Sequence, residues 1–362
     1  MLKILVWGTG QGAVKYLEKH LEMLDYIEVL AFVDGRKSDN TAEYFVMPDG
    51  AKKVKISPKE ISQYSYDYIT VLSSYYEEIK KDAVKFGVSS NRIMRGKEFY
   101  LFWVKKGYLD FKQKYGEWLK KKEYANIEEK SNYVWVSWLQ GYDEAPILIQ
   151  RCIDSIRKYS EGQNFCFITM QNYKEYVDVP DYLIQKLEAG RITLTFFSDI
   201  LRLLLLDKYG GLWVDATVFC MGDFKYLYNE NDFFVFQITD QNDGRVAASW
   251  LFYSKRGHVF VKETLHLLLR YCMEVGKMEH YYIIHYFFRM VTECYSEIWD
   301  KMSVAEVTDC YLLSKKINEL YSKKEWENMR DKMPIQKLNR RWRTDKYGED
   351  TFYCYITSEN GV

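Results

Sequence analysis

Four side chains that could hold a charged ligand lie between residues 198 and 219, in the sequence SDILRLLLLDKYGGLWVDATVF. Asp199 and Arg202 are three residues apart, so on a helix their side chains share one face. Asp215 and Thr217 alternate with apolar residues, so on a strand they point to the same side. Carboxylate and hydroxyl oxygens suit a divalent cation, and a guanidinium matches phosphate or sugar hydroxyls. The cluster indicates a site for a phosphate-bearing ligand, usually with a metal.

A structural alternative explains the same residues without a ligand. A carboxylate within an apolar strand is costly unless a partner neutralises it. An ion pair between Asp215 and Arg202 would meet that need and tie the strand to the helix. The convergence of several polar side chains on one end of an apolar unit favours the binding site.

The local sequence predicts the elements that position these groups. Ser198 is a suitable N-cap, which places Asp199 in the first turn of a helix, where its charge suits the helix dipole. The apolar run ends at the pair Gly210-Gly211, which predicts a left-handed C-cap. One buried strand, from 212 to 219, is then expected to carry both Asp215 and Thr217.

The pattern S-D-x-L-R-x-x-L-L-x-x-Y-G-G-x-W-x-D-x-T resembles the central motif of bacterial capsular polysaccharide synthesis glycosyltransferases. These are relatives of glycosyltransferase family 32 and, more distantly, of the clostridial glucosylating toxins. The similarity includes residues 134–160 and, more weakly, the segments SWLFYSKRGH, YYIIHYFF and PIQKL. It implies a GT-A fold and a retaining transfer from a UDP- or GDP-sugar donor to a glycan or lipid-linked glycan acceptor.

The resemblance also implies roles for individual residues. Catalytic roles fall to Asp199, Arg202 and Asp215. A Mn²⁺ or Mg²⁺ ion would be held by Asp215, Thr217 and His285, although Thr217 stands where many relatives carry a second acid. Substrate contacts fall to Trp138, Gln140, Gly141, Asp199, Arg202, Trp250 and Lys337.

A structural role without a ligand would also explain three residues outside the central motif, Trp138, His285 and Lys337. Trp138 is equally well read as a core residue, since tryptophan is highly buried on average. A lone histidine on an apolar face, as His285 is, is more often a core residue than a ligand. Lys337 and the arginines at 340, 341 and 343 could form a basic surface tail.

The first residues carry a second motif. A predicted strand leads into Gly8, Gly10 and Ala13 in the spacing G-x-G-x-x-A, with Gly12 inside it and Asp34 at the end of the next predicted strand. This is the arrangement of a dinucleotide-binding turn. It predicts a nucleotide, nucleotide-sugar or CoA-like ligand, whereas the alternative is a scaffold whose glycines only serve the turn.

The predicted fold class is α/β. A small Rossmann-like domain spans 1–97, a helical connector spans 98–131 and a GT-A domain spans 132–362. The 51 basic and 51 acidic residues cancel, which argues against nucleic acid as a partner. The scattered cysteines and the absence of a long apolar run predict a cytoplasmic protein, with peripheral contact at the inner face of the membrane left open.

Three other functions remain open at this stage. A sugar-phosphate transferase in capsule assembly would use the same donor but break another bond. A nucleotide-sugar oxidoreductase would use the N-terminal motif, and a non-catalytic binding subunit would use neither chemistry.

Overall fold

The computed structural model describes residues 1–37, 42–124, 130–240, 242–302, 304–340 and 349–358. This part of the chain forms two compact units. The N-terminal unit comprises Met1–Asp110, Asn242–Gly244 and Glu279–Tyr282. The large unit comprises Phe111–Gln241, Arg245–Met278 and Ile283–Val362. Within the described residues, no helix is both long and apolar enough to cross a membrane.

The N-terminal unit is built around a mostly parallel sheet in the order β3-β4-β2-β1-β5-β6, in which only the β3–β4 pair among the described strands is antiparallel. Its strands are β1 (Leu2–Trp7), β2 (Ile27–Val33), β3 (Glu43–Val46), β4 (Lys52–Ile56), β5 (Tyr68–Val71) and β6 (Ile93–Arg95). Its helices are α1 (Gln11–Lys19), α2 (Leu21–Leu24), α3 (Tyr76–Lys85) and α4 (Gly96–Tyr115), the last of which continues in sequence into the large unit. The predicted α/β class is confirmed in this unit.

The large unit contains a mixed sheet in the order β11-β12-β9-β7-β8. Strand β7 is parallel to both of its neighbours, β8 and β9. Strand β12 is antiparallel to both of its neighbours, β11 and β9. The strands are β7 (Tyr133–Ser137), β8 (Asn164–Ile168), β9 (Gly211–Asp215), β10 (Val218–Cys220), β11 (Phe233–Gln237), β12 (Ala247–Ser254) and β13 (Ile335–Lys337). The helices are α5 (Ile147–Tyr159), α6 (Asp181–Glu188), α7 (Leu194–Tyr209), α8 (Val259–Glu274), α9 (Ile283–Cys294), α10 (Ser296–Trp299), α11 (Leu312–Lys316), α12 (Lys323–Lys332) and α13 (Phe352–Thr357). A separate antiparallel pair joins β10 to β13.

Helix α7 begins earlier than its sequence suggests. Thr193 is the N-cap, and its side-chain oxygen accepts a hydrogen bond from the N–H of Phe196 at 3.1 Å. The prediction that Ser198 caps this helix is wrong, because the buried residues Phe196 and Phe197 extend the helix toward its N-terminus. Asp199 consequently lies beyond the first turn, outside the short range of the helix dipole.

A glycine turn ends α7 at the predicted pair, although ψ of Gly210 is −161° and not that of an αL cap. Gly210 has φ +67° and its N–H donates to the carbonyl of Leu206 at 2.9 Å. Gly211 has φ +99°, and a Cβ placed there would lie 2.5 Å from the carbonyl oxygen of Tyr133. Both glycines are therefore required, since the left-handed backbone and the adjacent strand leave no room for a side chain.

The predicted single strand from 212 to 219 is wrong. Strand β9 ends at Asp215, and Ala216 and Thr217 form a turn that leads to β10. The break occurs because β10 leaves the main sheet and pairs with β13, so that Val218 lies opposite Lys337. Long-range pairing, which local alternation does not encode, decides where the strand stops.

Candidate active site

The candidate site lies at the carboxyl ends of the parallel strands of the large unit. Ser137, the last residue of β7, is paired with Ile168 of β8 on one side and with Asp215 of β9 on the other. In open α/β sheets, ligands bind outside the carboxyl ends of parallel strands. Asp215 and the loop that follows Ser137 therefore occupy the edge where a ligand is expected.

Arg202 joins the two predicted acids. Its Nη1 lies 3.0 Å from Oδ1 of Asp199, and its Nη2 donates to Oδ1 of Asp215 at 3.0 Å. The guanidinium also lies over the ring of Trp213, 5.0 Å from the centroid. Arg202 is only 3% exposed; its Nε has no hydrogen-bond acceptor, and its Nη1 is close to Asp199 without the alignment of a hydrogen bond. The guanidinium thus has more donor capacity than the two carboxylates use.

Lys337 of β13 and Thr217 of the turn before β10 complete the cluster. The ammonium Nζ of Lys337 lies 3.3 Å from Oδ2 of Asp215 and donates to Oγ1 of Thr217. Oδ1 of Asp215 also accepts a hydrogen bond from Nε1 of Trp213 at 2.9 Å. Each oxygen of Asp215 therefore has its own cation, with Arg202 at Oδ1 and Lys337 at Oδ2.

The pKa values of the two acids, Asp199 and Asp215, are shifted in opposite directions. Burial by itself would raise the pKa of Asp215, but Lys337, Arg202 and the Trp213 hydrogen bond outweigh it and hold the pKa below its ordinary value. Burial raises the pKa of Asp199 to about 6, against the opposing effect of Arg202 and with a further increase from Asp215. A pair of acids whose pKa values are driven apart is a mark of a functional site, although ion-pair networks produce it too.

The predicted donor-binding loop lies at this same edge. Trp138 is half-buried, and its backbone N–H donates to the carbonyl of Ile168 at 3.2 Å. Gln140 is exposed, and Gly141 closes a turn through a 3.0 Å hydrogen bond from its N–H to the carbonyl of Trp138. Gly141 has φ +102° with open space around a notional Cβ, so the turn requires the glycine.

Trp250 lies mostly in the core. Its side chain is 5% exposed and stacks on Phe236 with 5.2 Å between the ring centroids.

Tyr311 and Arg245, which the sequence did not single out, also lie near this edge. Burial raises the pKa of Tyr311, Trp250 and Arg245 lower it, and the charge of Asp215 raises it further. No motif marks Tyr311, so only the fold could place it beside the site.

His285 lies against the start of a strand of the large unit. Its Nδ1 lies 3.0 Å from the backbone carbonyl oxygen of Ala247, at the start of β12. Among the described residues, no group of three or more histidine, cysteine, aspartate or glutamate side chains is arranged to hold a metal ion. The predicted ligands Asp215 and Thr217 instead share the ammonium of Lys337, so these residues do not fit a divalent ion as they stand.

The arginines that were predicted to form a basic tail lie only partly within the described residues. Arg341 and Arg343 lie outside the described residues. Arg340 is exposed. The basic-tail interpretation therefore stays a prediction for the arginines, whereas Lys337 is partly buried against Asp215.

The N-terminal motif forms its turn, and its acid is engaged within the unit. Gly8 has φ +128°, and a Cβ there would lie 2.9 Å from the carbonyl oxygen of Leu72, whereas Gly10 has open space and Gly12 only a 3.8 Å neighbour. Asp34 accepts hydrogen bonds from Oγ1 of Thr9 at 2.6 Å and from the N–H of Arg36 at 3.0 Å. The nucleotide expected at Gly8, Gly10, Gly12 and Asp34 stays a prediction.

A cavity of about 230 Å³ lies at the opposite ends of β7 and β8. Its lining includes Asn132 and Gln163, which directly precede these strands, and Tyr228. None of the predicted site residues borders it. It is therefore separate from the candidate active site.

Comparisons with known proteins cover both parts of the chain. Residues 83–356 match the family described as capsular polysaccharide synthesis protein, and residues 1–94 match the family described as C2185-like, N-terminal. No curated protein matches the chain. One similar solved structure is titled PaToxG Glycosyltransferase, with 13% identity over 56% of this chain and 85% of that chain and a TM-score of 0.34. At that score the two chains are not shown to share a fold. Because the first match spans most of the sequence, the protein belongs to the capsular polysaccharide synthesis protein family.

Proposed function

We propose that this protein is a glycosyltransferase that moves a sugar from a UDP- or GDP-sugar to a glycan or lipid-linked glycan acceptor during capsular polysaccharide synthesis. Membership of the capsular family supports the biological role. The observation that carries the proposal is the position of Asp215, held between the cations of Arg202 and Lys337 at the carboxyl edge of the parallel strands.

The charges of this cluster suit the chemistry of donor cleavage. Breaking the bond between the sugar and the diphosphate builds negative charge on the leaving phosphate. Cations that are already in place stabilise such charge without reorganising at the moment of reaction. Arg202 and Lys337 fill this role, and Asp199 and Asp215 accept hydrogen bonds from hydroxyls of the sugar and ribose.

Transfer then proceeds on a GT-A framework with retention of configuration. The loop of Trp138, Gln140 and Gly141 lies against the base and ribose of the donor. The acceptor hydroxyl attacks from the face that the diphosphate leaves, and the departing phosphate oxygen takes its proton. No carboxylate is assigned as a covalent nucleophile in this proposal.

The test measures nucleoside diphosphate release from a panel of UDP- and GDP-sugars, with and without acceptor. Asp215→Asn is expected to lower kcat by about 100-fold or more, the scale at which loss of one organised electrostatic group is felt. Asp331→Asn is the matched control, since that carboxylate is 68% exposed and pairs only with Arg330 beside it among the contacts described. Equal rates in the two variants would overturn the assignment of Asp215.

The same assay separates the alternatives. Release of a nucleoside monophosphate would identify a sugar-phosphate transferase. An absorbance change that depends on NAD would identify an oxidoreductase that uses the N-terminal unit. Saturable donor binding without product in any combination would identify a binding subunit.

A further inference from the structure

We propose that the ammonium of Lys337 is the resident cation of this site and takes the position between Asp215 and Thr217 that a divalent metal would need. The inference rests on the proposed function, because it concerns how the same site neutralises a donor diphosphate. It replaces the expected Mn²⁺ or Mg²⁺ with a side chain that the chain itself supplies.

The oxygen atoms that a metal would need at this position already have partners. A hard divalent cation requires several oxygen ligands, and Mg²⁺ prefers six in near-octahedral geometry. Oδ1 of Asp215 already accepts from Arg202 and Trp213, and Oδ2 faces Lys337. Oγ1 of Thr217 is bonded to the same ammonium. A metal at this position would have to displace Lys337 and, among the described residues, would find Asp215 as its carboxylate.

The backbone that carries Lys337 is held in place by strand pairing and by buried hydrogen bonds. Strand β13 places Lys337 directly opposite Val218, and the N–H of Leu338 donates to the carbonyl of Thr217 at 2.9 Å. Gln336, which is fully buried, bonds the N–H of Leu313 at 2.9 Å and the carbonyls of Asp309 and Met333 at 3.1 and 2.8 Å. The backbone on either side of Lys337 is thus fixed. The pairing of β13 with β10 therefore places the ammonium beside Asp215.

The charges of the site also favour Lys337 over a divalent cation. Arg202 and Lys337 balance the ionised forms of Asp199 and Asp215, so the cluster is neutral before any ligand binds. A diphosphate adds negative charge, which the two cations can share as its bond to the sugar breaks. A further dication beside these two would be repelled by both unless Lys337 left the site.

The decisive experiment measures Mn²⁺ binding directly, by the loss of the free-ion signal in electron paramagnetic resonance, with the intact protein alone and with UDP. The wild-type chain is expected to show no stoichiometric Mn²⁺ site that depends on Asp215. The double variant Thr217→Asp, Lys337→Met supplies a second acid and removes the ammonium, so it is expected to bind Mn²⁺ at least about tenfold more tightly than wild type. Wild-type binding that Asp215→Asn abolishes would overturn the proposal.

Activity provides the second arm. Transfer is expected to persist in EDTA, to fall by about 100-fold in Lys337→Met and to be partly retained in Lys337→Arg, since one preorganised charge is at stake. Lys332→Met is the control, because that lysine loses the same charge but pairs with Asp309 at 2.9 Å and is 58% exposed. Loss of transfer in EDTA with recovery on adding Mn²⁺ would contradict the proposal.

The two arms keep this inference distinct from the proposed function. If no donor yields product, the proposed function fails, while the Mn²⁺ measurement still decides what holds the cation position. Circular dichroism melting of each variant verifies that Lys337→Met folds. If it does not, Lys337→Arg and the Mn²⁺ signal of the wild type carry the test.

Discussion

The ammonium of Lys337 lies 3.3 Å from the carboxylate of Asp215, although the two residues are 122 positions apart in the chain. The contact exists because β13 pairs with β10 just after the turn that follows Asp215. Three elements thus meet at one carboxylate, since Arg202 reaches it from the adjacent helix α7.

Removal of the central cation should destabilise the large unit. Arg202→Met leaves Asp199 buried without its counter-charge, and breaking a buried ion pair from one side costs about 3–5 kcal/mol. We expect the free energy of unfolding to fall on that scale in a denaturant titration followed by tryptophan fluorescence. Arg330→Met is the control, because the pair of Arg330 with Asp331 is exposed and contributes about 0–1 kcal/mol. Equal stability of the two variants would contradict a role for Arg202 in holding the acids.

Asp199 should make stability depend on pH. Its pKa is about 6 in the folded chain and about 3.9 in an unfolded one, so the folded state holds the extra proton between these values. The stabilising effect of that proton is complete below about pH 4 and is lost as the pH rises through about 6.

Unfolding measured at several pH values should reveal this effect. Wild type should lose stability relative to Asp199→Asn as the pH rises from about 4 to about 6, on the order of 2 to 3 kcal/mol. A constant difference between the two proteins over this range would show that Asp199 does not titrate there. The lowered pKa of Asp215 gives the opposite pH dependence. Its ionised carboxylate stabilises the fold, and this stabilisation is lost as the pH falls below the ordinary range of aspartate pKa values.

The start of α7 can be tested by comparing two hydroxyl residues. Thr193→Ala removes the cap on the N–H of Phe196 and should cost about 1 kcal/mol of stability. Ser198→Ala replaces a residue inside the helix with the best helix former and should change stability by less than about 0.5 kcal/mol. Thermal melting of the two variants measures the difference. A larger loss at Ser198 would restore the cap that the sequence first indicated.

The glycine turn between α7 and β9 should be sensitive to a single methyl group. Gly211→Ala places a Cβ 2.5 Å from the carbonyl oxygen of Tyr133 at φ +99°. Gly162→Ala is the matched control, since Gly162 also has positive φ, +82°, but no atom within 4 Å of the added Cβ. Backbone strain alone costs about 1–3 kcal/mol, so Gly211→Ala should exceed that range and Gly162→Ala should not. Similar melting temperatures would mean that the neighbouring strand gives way.

Local signals in the sequence were sufficient for the elements of the site. The three-residue spacing of Asp199 and Arg202 predicted a shared helical face, and the ion pair between them is observed. The Gly210-Gly211 pair predicted the turn, because few other residues adopt its backbone angles. These features depend on neighbours along the chain, which the sequence shows directly.

Features that depend on distant partners do not show in the local sequence. The extent of α7 was underestimated because the burial of Phe196 and Phe197, which favours the longer helix, is a tertiary property. The break after Asp215 was missed because alternation continues through Thr217 while the pairing partner changes. The sequence does not show how deeply Trp250 is buried, whereas packing on Phe236 leaves it 5% exposed. Its contact with the substrate stays a prediction.

The sequence by itself determined that two acids, an arginine and a threonine stand around one helix-to-strand turn in a chain of the capsular polysaccharide synthesis family. Only the tertiary structure decided that Lys337 faces Asp215 and Thr217, and that His285 contacts the backbone of Ala247. The reason is physical: charge and spacing along a chain fix which groups are available, but the pairing of β10 with β13 selects which cation reaches which acid.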